Sequence, residues 1–158
     1  EEPVQSLLEH LGPEPLEQWT ADDAALRCQG KRSPIKTTLL DQRFVVGVGN
    51  IYACEALHRS GISPTLPTHK LVRKDGKPTK ALIELVGQVK DVLKAAIAVG
   101  GSTLNDFAAV DGTLGYFGHQ FQVYGREDGP CLKQGCNGTI ERIVQSNRST
   151  FLCPRCQK

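Results

Sequence analysis

Residues 131–156 read CLKQGCNGTIERIVQSNRSTFLCPRC, and this stretch decides how the chain ends. Its four cysteines, Cys131, Cys136, Cys153 and Cys156, are spaced C-x4-C-x16-C-x2-C. Two close pairs flank a segment long enough for a β-hairpin, so two short knuckles can bring four thiolates together. Zn²⁺ prefers such soft ligands in a tetrahedron. Gly135 and Gly138 flank the second cysteine and Pro154 lies between the last two, as tight turns require. Two disulfides are the other use of this pattern, but paired knuckles without a secretory segment favour zinc. With all four positions filled by protein, the site holds one structural ion and leaves no position for a reacting water. Thr139 to Phe151 then reads as the hairpin, with Ser146-Asn147-Arg148-Ser149 at its tip.

Upstream, helical patterns dominate. Val4, Leu7, Leu8 and Leu11 have helical spacing closed by Gly12-Pro13. Thr20-Ala-Asp-Asp23 resembles a capping box opening a short helix with Ala24 and Leu26. Ser33-Pro34 reads as N-cap and first residue of a helix presenting Ile35, Leu39 and Leu40. The turn Gly47-Val48-Gly49 follows, and Asn50 is a good N-cap for a helix through Ile51, Cys54 and Leu57 to Gly61. From about Thr79 to Val99, Leu82, Leu85, Val86, Val89, Leu93, Ala96 and Ile97 keep the i, i+3, i+4, i+7 rhythm. Gly100-Gly101 ends that helix and Ser102 can cap a short one, while 110–118 is glycine-rich and reads as a loop. The expected fold is mainly α with a small β zinc module: a helical domain over 1–122 and a zinc-finger domain over 123–158.

Bulk charge does not announce a partner. The formal net charge is +2, from 19 basic and 17 acidic residues, and a zinc-tetrathiolate would remove about two units. What matters is where the cations sit. Lys31, Arg32 and Lys36 cluster, as do Arg142, Arg148 and Arg155 around the cysteines. Lys70, Arg73, Lys74, Lys77 and Lys80 surround Asp75-Gly76 and Pro78, so that run reads as a solvated turn. No apolar run approaches the ~20 residues of a membrane span. Cys28 and Cys54 lie on apolar-patterned segments and read as core residues of a reducing cytosol. The acidic start, Glu1-Glu2-Pro3, is not a signal peptide, and the absence of any Met reads as a piece of a longer protein.

The glycine turn before Asn50 is the second informative feature. Gly47 and Gly49 let a partner approach the backbone, and the helix that follows opens with free N–H groups and a positive dipole end. That is a ready anion site, to which the Asn50 amide and Lys36 from the preceding helix could contribute. An ordinary corner between two helices, with Asn50 only a cap, is the competing reading.

Pro34-Ile-Lys-x-x-Leu-Leu-Asp-Gln42 followed by Val46-Gly-Val-Gly-Asn-Ile-Tyr-Ala53 resembles the helix–two-turn–helix motif of bacterial formamidopyrimidine-DNA glycosylases. Gly100-Gly-Ser-Thr-Leu104, Gly115-Tyr-Phe117, Val123-Tyr-Gly-Arg126 and Arg148-Ser-Thr-Phe-Leu-Cys-Pro-Arg-Cys-Gln157 resemble the same family, in the same order. The resemblance implies base-excision repair: an oxidised purine such as 8-oxoguanine or a formamidopyrimidine is flipped out of double-stranded DNA and excised, and the abasic strand is nicked by β,δ-elimination. It implies that Lys36 and Asn50 hold phosphates near the lesion, with Arg32, Gly47 and Gly49 as further DNA contacts. Arg148 becomes a phosphate clamp and the proton donor of δ-elimination, and Gly115, Tyr116 and Phe117 a cover over the extruded base. A guanidinium fork suits the clamp better than proton donation.

The family's nucleophile is an N-terminal proline in a preceding domain, whereas Pro3, Pro13 and Pro15 are internal here. A proline inside a chain is a tertiary amide with no nucleophilic amine. The 158 residues are therefore expected to bind DNA as a monomer without completing catalysis, in a bacterial, nucleoid-associated cytoplasmic setting. A stand-alone zinc-containing nucleic-acid-binding module and the endonuclease-type branch acting on oxidised pyrimidines stay open. Gly115-Tyr-Phe117 favours the purine branch.

Overall fold

The computed structural model describes residues 11–98 and 121–158 of the 158-residue chain. The expected helix over Val4–Leu8, the Ser102 helix and the 110–118 loop lie outside the described residues. Helix α1 spans Ala21–Cys28, and Thr20 caps it as its sequence implies, its hydroxyl accepting from the Asp23 N–H at 3.1 Å. Its buried face is Ala24, Ala25 and Cys28. Leu26, on the same helix, faces outward and is 67% exposed.

Helix α2 spans Ile35–Leu40, with Pro34 itself in the N-cap position. Ser33, expected as the cap, is engaged elsewhere. Its hydroxyl pairs with Thr38 Oγ1 at 2.9 Å, and Thr38 Oγ1 pairs with Thr68 Oγ1 at 2.7 Å. This hydroxyl chain ties α2 to the 3₁₀ turn Thr68–Leu71. Helix α3 spans Asn50–Ser60 and ends on Gly61 in the left-handed conformation. The N-cap position belongs to Gly49, so Asn50 is the first helical residue and not the cap its sequence suggests. The long helix α4 spans Lys80–Ala98, and the Thr79 hydroxyl accepts from the Leu82 N–H at 3.2 Å. Leu82, Leu85, Val86, Val89, Val92 and Ala96 form its buried stripe. Leu93 is only partly buried and Ile97 is exposed; both line an open depression with Leu16, Val46 and Tyr52.

These helices enclose a core containing Trp19, Phe44, Leu39, Leu57 and Leu85, with the Trp19 and Phe44 rings edge-on at 5.8 Å. The basic run after Leu71 is a turn, as expected: Val72 bridges Pro78 and Arg73 pairs with Asp75 at 3.0 Å.

Strands β1, Glu141–Gln145, and β2, Arg148–Leu152, pair antiparallel with Gln145 opposite Arg148. The tip is therefore only Ser146-Asn147, both at positive φ (50° and 65°), a two-residue hairpin turn of the type that matches strand twist. Arg148, expected within the tip, is the first residue of β2. The hairpin rests on a second core of Val123, Ile140, Phe151 and the cysteines, to which α3 contributes Cys54.

Candidate nucleic-acid interface and metal centre

Cys131, Cys136, Cys153 and Cys156 converge, with all four Sγ atoms within 4.8 Å of one another. Cys131 and Cys156 Sγ are 3.8 Å apart, and Cys136 and Cys153 Sγ 3.7 Å. Four sulfurs about 2.3 Å from one zinc define a tetrahedron with edges of about 3.8 Å. The quartet thus has the dimensions of a zinc site, while a disulfide would need about 2.05 Å. Backbone closes both knuckles. Cys131 N donates to Gly138 O at 2.9 Å, and Gln157 N donates to Cys153 O at 3.0 Å. The Gln157 side chain accepts from Cys153 N at 2.7 Å and donates to Ile62 O at 2.9 Å, which pins the last knuckle to the end of α3. Gly138 leaves no room for a side chain: a Cβ there would stand 2.5 Å from Cys153 Sγ.

The other residues singled out in the sequence divide into two groups. Lys36, Asn50 and Arg148 come together although they are far apart in the chain. Lys36 is 1% exposed, and its ammonium donates to Thr150 Oγ1 at 2.7 Å and to Ser149 O at 3.4 Å. Asn50 Nδ2 donates to the same Ser149 carbonyl at 3.0 Å. Lys36 and Arg148 line a cleft of about 330 Å³ with Thr37, Asp41, Gln145 and Ser146. Burial holds the Lys36 ammonium below its usual range, the nearby Cys54 opposes this, and Arg148 adds to it. A cation held in such a place gains from any anion entering the cleft.

Arg32 stands elsewhere, exposed in a depression with Gly30 and His69. Gly47 takes a positive φ of 83°, which glycine adopts without strain, but its N–H donates to Gln42 Oε1 at 2.9 Å. That donor is therefore already engaged, which leaves the opening N–H groups of α3, with no carbonyl inside the helix to pair with, as the backbone donors this turn can offer. Gly115, Tyr116 and Phe117 lie outside the described residues. Cys28 and Cys54 are buried core residues, and burial pushes the Cys28 thiol up to about 12.

Two side chains that sequence reasoning did not single out hold the assembly together. Glu55, 1% exposed, accepts from three successive backbone N–H groups: Gln122 at 2.8 Å, Val123 at 2.9 Å and Tyr124 at 2.8 Å. His58, wholly buried, places Nε2 3.3 Å from Cys131 Sγ. A signal for both was present. Ile51, Cys54, Glu55 and His58 fall at i, i+3, i+4 and i+7, so an acid and an imidazole occupy positions of the core-facing stripe.

The comparisons agree with this geometry. The family profile described as "Formamidopyrimidine-DNA glycosylase H2TH domain" matches residues 11–108, and "Zinc finger found in FPG and IleRS" matches residues 129–158. With the tetrahedral sulfur spacing, the second match identifies the quartet as the site of one structural zinc ion. A formamidopyrimidine-DNA glycosylase of Agrobacterium fabrum is 52% identical over 149 residues, covering 94% of this chain and 50% of that protein. The complex of Lactococcus lactis Fpg with an abasic site containing DNA superposes with a TM-score of 0.81 at 28% identity, covering 99% of this chain and 55% of that one. A structure of MutM in complex with carbocyclic 8-oxo-G containing DNA gives the same TM-score, identity and coverage. The chain spans about half the length of the curated relatives it matches. On the profile match and the fold together, the chain belongs to the formamidopyrimidine-DNA glycosylase H2TH-domain family.

Proposed function

We propose that this chain is the DNA-gripping part of a formamidopyrimidine-DNA glycosylase and AP lyase, an enzyme that removes oxidised purines and nicks the abasic strand by β,δ-elimination. The observation that carries the reading is the convergence of Lys36 and Asn50 on the Ser149 carbonyl, immediately beside Arg148. This contact joins the helix–turn–helix corner to the zinc hairpin, so cations from both line one cleft. A phosphate of the lesion strand entering there meets the Lys36 ammonium from α2, the N-terminus of α3 and the Arg148 fork from β2. The bound zinc supplies rigidity and no reaction step, because its four positions are filled by cysteine.

Two domains divide the work: residues 1–122 carry the helix–two-turn–helix and the lesion cover at 115–117, and residues 123–158 the zinc finger. Arg32 contributes a more distant phosphate contact. Arg148 acts mainly through its charge, which stabilises the phosphates during elimination. The 158 residues by themselves act as a monomer that binds abasic-site DNA without cleaving it, because none of their prolines offers a secondary amine. The setting is the bacterial cytoplasm, on nucleoid DNA. Among the described residues no helix is long and apolar enough to cross a membrane.

The test is fluorescence anisotropy with an abasic-analogue duplex across a salt series, together with borohydride trapping on 8-oxoguanine duplex. Binding that weakens with salt, with no covalent adduct, is the expected result. Absence of binding at low salt refutes the DNA-gripping role, and a trapped adduct refutes the claim of inactivity.

A further inference from the structure

His58 is the one described side chain of the helical part that reaches a sulfur of the metal quartet by hydrogen bonding. It sits on the last turn of α3, wholly buried, with Nε2 3.3 Å from Cys131 Sγ. The other hydrogen bonds to these sulfurs come from the zinc module itself. Gly138 N–H donates to Cys136 Sγ at 3.4 Å. A zinc-bound thiolate carries no proton, so the hydrogen shared between His58 and Cys131 must come from the ring. Nδ1 has no partner among the described residues, so nothing there competes for that proton.

The surroundings of His58 also belong to the joint between the two parts. Its carbonyl accepts from Lys133 Nζ at 2.9 Å, and three residues on, the Gly61 carbonyl accepts from Lys158 N at 3.0 Å. Donors to a ligating sulfur withdraw charge from it, which lowers its nucleophilicity, and they fix its direction toward the metal.

We infer that His58 is a positioning residue of the zinc centre: its Nε2–H donates to the Cys131 thiolate, shielding that ligand from electrophiles and fastening the zinc knuckle to helix α3. This goes beyond any role in gripping DNA, because it concerns the metal's retention and can be read with no DNA present.

The experiment compares the zinc-loaded 158-residue protein with H58F, which keeps ring bulk without a donor, and H58Q, which keeps an N–H donor. Zinc is competed away with a chromophoric chelator and is also released with a thiol-reactive disulfide. The S→Co²⁺ charge-transfer band is recorded after metal exchange. The expected result is that H58F loses about tenfold or more in zinc affinity. It also releases metal faster to the disulfide and shows a charge-transfer band moved to longer wavelength, while H58Q restores all three toward the starting protein. H58F with unchanged affinity, release and band position overturns the inference, and so does a loss that H58Q fails to rescue. If H58F does not fold, long-range ¹H–¹⁵N correlation on the unaltered zinc-loaded protein decides. A ring protonated at Nε2 supports the inference, and a neutral ring protonated at Nδ1 overturns it.

Discussion

Glu55→Ala tests the joint between α3 and the backbone of residues 122–124. The carboxylate accepts three N–H groups, with Oε1 serving Gln122 and Oε2 serving both Val123 and Tyr124. The Val123 bond is buried and the other two are half-buried. Alanine leaves the Val123 N–H without water or partner, at about 1–3 kcal/mol. It also removes two bonds whose donors can partly rehydrate, at about 0.5–1 kcal/mol each. The sum is about 3 kcal/mol, a large share of the ~5–15 kcal/mol that holds a domain together. Glu55→Gln is milder. Its remaining oxygen can keep Val123 and Tyr124 while its NH₂ faces the Gln122 donor, so about 1–2 kcal/mol is lost. Urea unfolding followed by Trp19, the sole tryptophan and wholly buried, reads both variants with zinc saturating. Amide exchange at 122–124 reads the local effect. If Glu55→Ala leaves the midpoint within the ~0.5 kcal/mol of an ordinary surface change, and those amides stay protected, the clamp is not what holds this segment.

Gly138→Ala brings a Cβ to 2.5 Å from Cys153 Sγ, about 1 Å inside ordinary contact, so the sulfur must leave its tetrahedral place. Zinc content should fall below one per chain, and full metal loading with unchanged thermal stability would refute the packing argument. Cys153→Ser removes a wholly buried ligand and should release zinc and unfold the hairpin, because metal binding and folding are coupled in such modules. If metal content and DNA affinity both survive, the quartet is not the zinc site. Asn50→Ala deletes the bond to Ser149 O and should lower stability by about 1 kcal/mol as well as weakening abasic-site DNA binding. Exposed Arg148→Ala should weaken binding with no loss of stability and reduce the salt slope by about one. Equal stability losses in the two variants would argue against this division of labour.

What could be read from the chain without coordinates was local. The cysteine spacing, the Thr20 cap, the Lys80–Ala98 stripe and the hairpin between the two knuckles all depend on neighbours within a few turns, and they stand in the structure. One-residue errors arose where two local signals competed. Asn50 has the chemistry of an N-cap, yet Gly49 holds that position and frees the amide for Ser149. Arg148 sits among turn-forming residues, yet a two-residue turn suffices and leaves it on a strand. Tertiary structure alone decided which distant groups meet: Lys36 with Thr150, Asn50 with Ser149, Glu55 with 122–124 and His58 with Cys131. Periodicity places a side chain on a face but does not say what packs against that face. The periodicity of α3 therefore places Glu55 and His58 on its inner side, and only the packed zinc module and residues 122–124 give those polar groups their partners.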